Sequence, residues 1–300
     1  MRIFLTGATG FIGTHVIPEL LAAGHQVLGL TRSESGAETL RKAGVEPLQG
    51  TLEDPDSLKA GAAQADAVIH CAFDHDFSNF IANTQKDARV IRAMGEALQG
   101  SDRLLLITSG TGIGAPGHGE LAVESVTNFD HPNPRIASEQ AGVAAAETGA
   151  KVAVMRLPQV HDTHKQGLIS PLIEGAREKG RVSYIGDGAN RWAAAHVSDV
   201  AKLYALAIEQ GKGGEIFHAV DEEGVSARDI AEALGRGLGL PVASVTPEQA
   251  PEAFGWMAMF AALDMPASSA WTRQRLGWTP KGPSLIADLD AMDYPALTAA

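Results

Sequence analysis

Three glycines near the N-terminus constrain the fold of this chain more than any other feature. In the stretch TGATGFIG, Gly7, Gly10 and Gly13 stand between a short apolar run, RIFLT (2–6), and the segment FIGTHVIPELLAAGH (11–25), which has helical spacing. A glycine triplet alone is weak evidence. Between a strand and a helix, however, it permits a tight turn and close backbone approach to a pyrophosphate, which the unpaired N–H groups of a helix N-terminus favour. Thr6, Thr9, Phe11 and Ile12 complete this predicted dinucleotide turn. Pro18 is a local cost inside the predicted helix, and Gly24 marks its stop.

The rhythm continues downstream. QVLGLT (26–31), DAVIHCA (66–72), RLLLITS (103–109) and KVAVMRLP (151–158) are short, continuous apolar runs, as buried parallel strands require. Helices are predicted between them at 35–43, 56–63 and 79–99, and Asn133, Pro134 and Gly149 bracket another at 134–148. This is the pattern of an α/β fold with a Rossmann-type doubly wound parallel sheet. Beyond it the alternation loosens, with helices expected near 167–180, 198–210 and 226–239 and strands near 182–185, 215–220 and 242–245. We therefore expect a dinucleotide-binding domain over 1–157 and a smaller C-terminal substrate lobe over 158–300, packed as one compact unit with room for a chain crossover.

Composition excludes several classes of function. A formal charge of −12 argues against nucleic acid as the main partner, because phosphate binding needs clustered Lys and Arg. One cysteine, Cys71, rules out an internal disulfide and any multi-cysteine metal site, and no metal is expected. No apolar run approaches the ~20 residues that span a bilayer, and MRIFLTGATG lacks the features of a signal peptide. The expectation is a cytoplasmic protein acting on a small molecule, with no membrane partner and with a homodimer left open.

The end of the second strand bears on the choice of dinucleotide. A carboxylate there would bind ribose hydroxyls and repel a 2′-phosphate. This chain has Thr31, Arg32 and Ser33 instead, and an Arg fork with a hydroxyl suits a phosphate. NADP(H) is expected in preference to NAD(H). Cys71, Ala72 and Phe73, at the end of the 66–72 run, are expected to border the cofactor.

Together with TGATGFIG, the stretches VIHCAF, LLLITSG, RLPQVHD, YIGDGANRWAAAHVSDVAKLYALAIE and RQRLGWTP resemble the short-chain dehydrogenase/reductase superfamily, specifically its extended, epimerase/dehydratase-like branch. The resemblance covers nearly the whole chain. It implies a hydroxyl residue after the fifth strand, then a Tyr and a Lys one helical turn apart opening the next long helix. In HPNPRIASEQ those two positions are Arg135 and Glu139, with Ser138 kept between them. Arg, with a pKa above about 12, is no proton donor near neutral pH. None of the tyrosines, Tyr184, Tyr204 and Tyr294, has a Lys four residues later. Arg135 and Glu139 are read either as a surface ion pair or as site groups, with Arg135 holding a substrate oxyanion or carboxylate.

Other residues are candidates for the chemistry. Ser109 and Thr111 flank Gly110 where the family keeps its hydroxyl. His75, between Asp74 and Asp76 in FDHDF, and His161, close to His164, suit proton exchange near neutral pH. Pro158, by the resemblance, shapes a loop at the nicotinamide carboxamide. His196 and Asp199 read as a helix entrance with Asp as the cap. FGWMAMFAALDMPASS (254–269) reads as an apolar lid or a packed helix edge. The expected function is NADPH-dependent reduction of a small carbonyl or activated alkene without the usual dyad. The rivals are a sugar-type epimerase or dehydratase and a non-catalytic NADP(H) sensor.

Overall fold

In the computed structural model, which describes residues 1–295, the first part of the chain alternates strand and helix. Its elements are β1 (Arg2–Thr6), α1 (Phe11–Ala22), β2 (Gln26–Thr31), α2 (Glu34–Lys42), β3 (Glu46–Gln49), α3 (Pro55–Ala63), β4 (Ala67–His70), α4 (Phe80–Leu98), β5 (Leu104–Gly110), α5 (Ile136–Glu147) and β6 (Lys151–Leu157). There follow β7 (Gln159–His161), α6 (Ile169–Lys179), β8 (Val182–Ile185), β9 (Arg191–His196), α7 (Val197–Gln210), β10 (Ile216–His218), β11 (Glu222–Ser226) and α8 (Ala227–Leu238). The last elements are β12 (Val242–Val245), α9 (Ala250–Phe254), α10 (Ala258–Ala261), α11 (Ala270–Leu276) and α12 (Leu285–Ala291).

The main sheet has 7 parallel strands in the order β10-β6-β5-β4-β1-β2-β3. Its order reverses at β1, which pairs with β2 on one side and β4 on the other. Ligands bind beyond the carboxyl ends of strands at such a switch point. Both faces are covered, which is why the strands read as unbroken apolar runs. Ile3 and Leu5 pack into one core with Val16 and Leu20 of α1 and Leu203 and Tyr204 of α7; Phe4 packs into the other with Leu58, Ile91 and Ala141. Pro18 lies on an exposed flank of α1, so the carbonyl it leaves unpaired, that of exposed Thr14, can be hydrated.

Residues beyond 158 return to this first layer, since β10 is the edge strand beside β6 and α7 closes one core. The remaining C-terminal elements form a 3-stranded sheet, β11-β9-β7, and a 2-stranded one, β12-β8, around a separate apolar cluster. The run RWAAAH becomes β9 because β7 and β11 pair with it from both sides. Within 254–269, Met257 and Phe260 are buried in the lobe while Trp256 and Met259 are half exposed.

Candidate active site

The glycine turn is built for close backbone approach. Gly7 has φ +68°, and a Cβ on it would lie 2.8 Å from the Ala72 nitrogen. A Cβ on Gly13 would lie 2.1 Å from the Gly7 carbonyl oxygen. Gly10 is the N-cap of α1, and no side chain caps that end, so its first N–H groups remain available to an anion. This cradle fits the pyrophosphate of a dinucleotide. Thr6 serves it from below: its buried hydroxyl accepts the Ala72 N–H at 3.1 Å and bonds His70 Nδ1 at 2.7 Å. That anchoring turns Cys71 and Ala72 out of β4, which ends at His70 rather than at residue 72 as the apolar run suggested. Burial pushes the Cys71 thiol up to about 12, so it is an inert wall.

At the end of β2, Thr31 is buried and turned toward α2, whereas Arg32 and Ser33 are exposed. Ser33 caps α2, accepting the Gly36 N–H at 3.1 Å. The nearby Glu34 carboxylate is held by Arg41 at 2.8 Å, and Arg32 has no ion-pair partner among the described residues. Thr9, Phe11 and Ile12 line the mouth of the turn, and Lys165 reaches over the Phe11 ring with its nitrogen 5.9 Å from the centroid. Pro158 is partly exposed between β6 and β7.

The start of α5 departs most from expectation. Asn133 caps the turn as expected, its side chain accepting the Arg135 N–H at 3.0 Å, but the first turn closes through i→i+3 bonds from Ile136 and Ala137 to the Asn133 and Pro134 carbonyls, so the regular helix begins at Ile136, not 134. Arg135 and Glu139 do not pair with each other, as a surface ion pair would. Arg135 points inward, its guanidinium 3.9 Å from the centroid of the Phe73 ring. It donates to the Thr108 carbonyl at 2.6 Å and to Asp87 Oδ2 at 3.4 Å. Asp87 is 1 % exposed and also accepts from Ser138 at 2.5 Å and bonds His70 Nε2 at 3.0 Å. A His70 ring protonated on Nε2 completes both of its bonds. A continuous buried network therefore runs from Thr6 to Arg135. Burial pushes the Asp87 carboxyl up, but the Arg135 charge with His70 and Ser138 outweighs it and holds the pKa below the usual range.

Glu139 is neither a surface nor a cleft residue. It is 3 % exposed and grips the fully buried Arg156 through two bonds of 2.8 Å. Arg156 also donates to the Val126 carbonyl at 2.7 Å and the Thr127 hydroxyl at 2.9 Å. Glu139 thus carries half of a desolvated ion pair.

The candidate proton-transfer groups divide by access. Ser109 sits at the end of β5, and its hydroxyl is buried without a hydrogen-bond partner among the described residues. Thr111 is buried in the following turn. His75 is exposed at the cleft mouth, its ring edge-on to Phe73 at 5.3 Å. Crowding by surrounding protein, then the Arg135 charge, lowers its pKa. His161 is fully buried; its Nδ1 bonds Asp288 at 2.7 Å and its Nε2 has no hydrogen-bond partner among the described residues. Burial outweighs Asp288 and holds that imidazole below its usual pKa. His164 is exposed. The expected cap of α7 is reassigned, since His196 accepts the Ser198 N–H at 3.2 Å. Asp199 is fully buried and ties down the C-terminal segment through the N–H groups of Lys281 and Gly282.

Sequence reasoning missed His70, Asp87, Arg156 and Asp288. The available signal was a charge in an apolar pattern: Asp87 shares the buried stripe of α4 with Thr84, Ala88 and Ile91, and Arg156 interrupts a buried strand.

The NAD dependent epimerase/dehydratase family matches residues 3–219. The chain belongs to this family. An uncharacterized protein of Schizosaccharomyces pombe is 45% identical over 295 residues, covering 98% of this chain and 100% of its own. The 4-hydroxy-2-methyl-3-oxo-4-farnesyl-3,4-dihydroquinoline-1-oxide ketoreductase of Stigmatella aurantiaca is 28% identical, with 78% and 72% of the two chains covered. The fold superposes on a dTDP-glucose 4,6-dehydratase from Streptomyces venezuelae, solved with NAD, at a TM-score of 0.77 and 20% identity, covering 97% and 95%. The family and the ketoreductase relative support an NAD(P)-dependent enzyme of the oxidoreductase or epimerase kind, while the superposition shows the fold. Among the described residues no helix is long and apolar enough to cross a membrane.

Proposed function

We propose that this family member is an NADPH-dependent reductase of a small carbonyl or activated alkene. The observation that carries the reading is Ser109: a buried hydroxyl with no partner among the described residues, near the carboxyl end of β5, which lies next to β4 on one side of the switch at β1. A substrate oxygen can complete that missing bond. Arg135, tethered to the carbonyl of the preceding residue, Thr108, supplies fixed positive charge where negative charge develops.

Gly7, Gly10, Gly13 and the N-terminus of α1 would hold the pyrophosphate, and Arg32 with Ser33 the 2′-phosphate. When bound, the nicotinamide supplies hydride. Asp87 and Thr108 orient Arg135, while Phe73 shields one face of its guanidinium from water. His75 is open to solvent and delivers the proton directly or through water; buried His161 supports the loop after β7. The ketoreductase among the relatives fits this reading, whereas an epimerase or dehydratase would need an acid–base pair where Arg135 and Glu139 stand.

NADPH oxidation across ketones, enones and imines is the test. Turnover with a Ser109→Ala variant reduced on the order of a hundredfold is expected, the usual scale for losing one such donor. Tight nucleotide binding with no turnover on any acceptor would overturn the reading. A nucleotide retained in the purified protein, with turnover of a sugar and no net NADPH consumption, would favour the epimerase alternative.

A further inference from the structure

The C-terminal lobe holds a largely apolar cavity of about 50 Å³ that shares no lining residue with the cofactor site. Leu172 and Gly175 of α6, Tyr184 of β8, Trp192 of β9, Ile230 of α8 and Phe254 of α9 form much of its lining. The polar atom of Trp192, Nε1, already donates to the Leu263 carbonyl at 3.2 Å. Besides Tyr184, polar side chains in the lining are limited to Ser183 and Arg181, and Arg181 is exposed at the solvent end. Such a lining offers little to a sugar or a phosphate and much to hydrocarbon.

One stretch of chain joins this cavity to the cleft. Phe254 and Ala261 face the cavity, while Trp256 and Phe260, between them, pack on Phe77 with ring centroids 4.8 Å and 5.8 Å away. Phe77 also meets His75 at 6.1 Å, and Phe80 meets Phe73, the ring beneath Arg135, at 6.1 Å. Phe77 and Phe80 pack on the same apolar cluster that contains Trp192. An aromatic wall thus runs from Arg135 to the cavity.

We propose that the cavity receives the end of an uncharged alkyl arm of the substrate, about three to five carbons of it at ~10–15 Å³ each, while the substrate carbonyl lies at Ser109. This assignment rests on the reductase reading. Each methylene moved from water into such a site strengthens binding about fourfold.

Gly175 gives a clean way to block the cavity, since a Cβ there meets no atom within 4 Å. With the NADPH-loaded protein and methyl ketones from butanone to undecanone, KM should fall about threefold to fourfold per methylene until the cavity fills. Gly175→Leu should flatten that slope. A second measurement needs no turnover: undecanone brominated at its chain end should quench tryptophan fluorescence, and Trp192→Phe and Gly175→Leu should each remove most of the quenching. Turnover without a chain-length slope, or an equal slope in Gly175→Leu, overturns the inference and leaves the reductase reading standing. Quenching without turnover supports the hydrocarbon site and counts against the reductase. Neither quenching nor turnover overturns both.

Discussion

The two ends of the cleft are built by different means. At the β1–α1 turn the working parts are backbone: glycines that leave room and N–H groups that point outward. At the start of α5 the working parts are side chains held by distant side chains, with Arg135 on Asp87 and Glu139 on Arg156. A backbone cradle tolerates little change because any Cβ fills it. A side-chain site can be rebuilt on the same scaffold, provided every buried charge finds a new partner.

That contrast can be broken most severely at the glycine turn. Gly13→Val should abolish NADPH and NADH binding alike in a fluorescence titration, because its Cβ would overlap the Gly7 carbonyl. Next comes Glu139→Lys, which reverses the charge facing Arg156. It should cost at least about 3–5 kcal/mol in denaturant unfolding, since it leaves Arg156 buried beside a second cation. If it were tolerated, Glu139 would belong to the cleft after all.

Asp87→Ala should cost about 3 kcal/mol by the same measurement, because Arg135 then loses its buried counter-charge. Asp87 also predicts a pH effect. Its folded pKa lies below the unfolded value of about 3.9, so its contribution is present above that pH and is lost as pH falls through the folded value. Acid unfolding followed below about pH 4 should show a shallower decline in Asp87→Asn than in the native protein.

His218 sharpens the comparison from the Arg156 side. Burial, and then the charge of Arg156, lower its pKa to about 3. The unfolded imidazole takes up its proton near pH ~6.5, so the unfolded state binds more protons between these values. Stability should therefore fall as pH drops from about 6.5 toward 3, by up to about 1.4 kcal/mol per pH unit from this residue. His218→Gln should reduce that slope. The smallest expected effect lies back at the cofactor end: Arg32→Ala should weaken NADPH about tenfold, or about 1.4 kcal/mol, and leave NADH unchanged. Equal losses for both nucleotides would remove the case for a 2′-phosphate contact.

Much of the fold was legible for a simple reason. A parallel strand covered on both faces must be apolar at successive positions, and β1, β2, β5 and β6 each announce themselves in that way. RWAAAH carries no such signal; its partners in β7 and β11 make it a strand. In the site, the glycine cradle and exposed Arg32 could be read directly, because they depend on local backbone. Asp87 lies 48 residues from Arg135 in the chain, and Asp288 lies 127 from His161. No local spacing reports either pairing.

The sequence by itself thus determined the doubly wound sheet, the dinucleotide turn and the identity of the two residues opening α5. What those two residues do was decided only by tertiary structure. A charged side chain is stable in an interior only beside its counter-charge and hydrogen-bond partners. Packing α4 against α5 and bringing β6 beside them is what supplied those partners to Arg135 and Glu139.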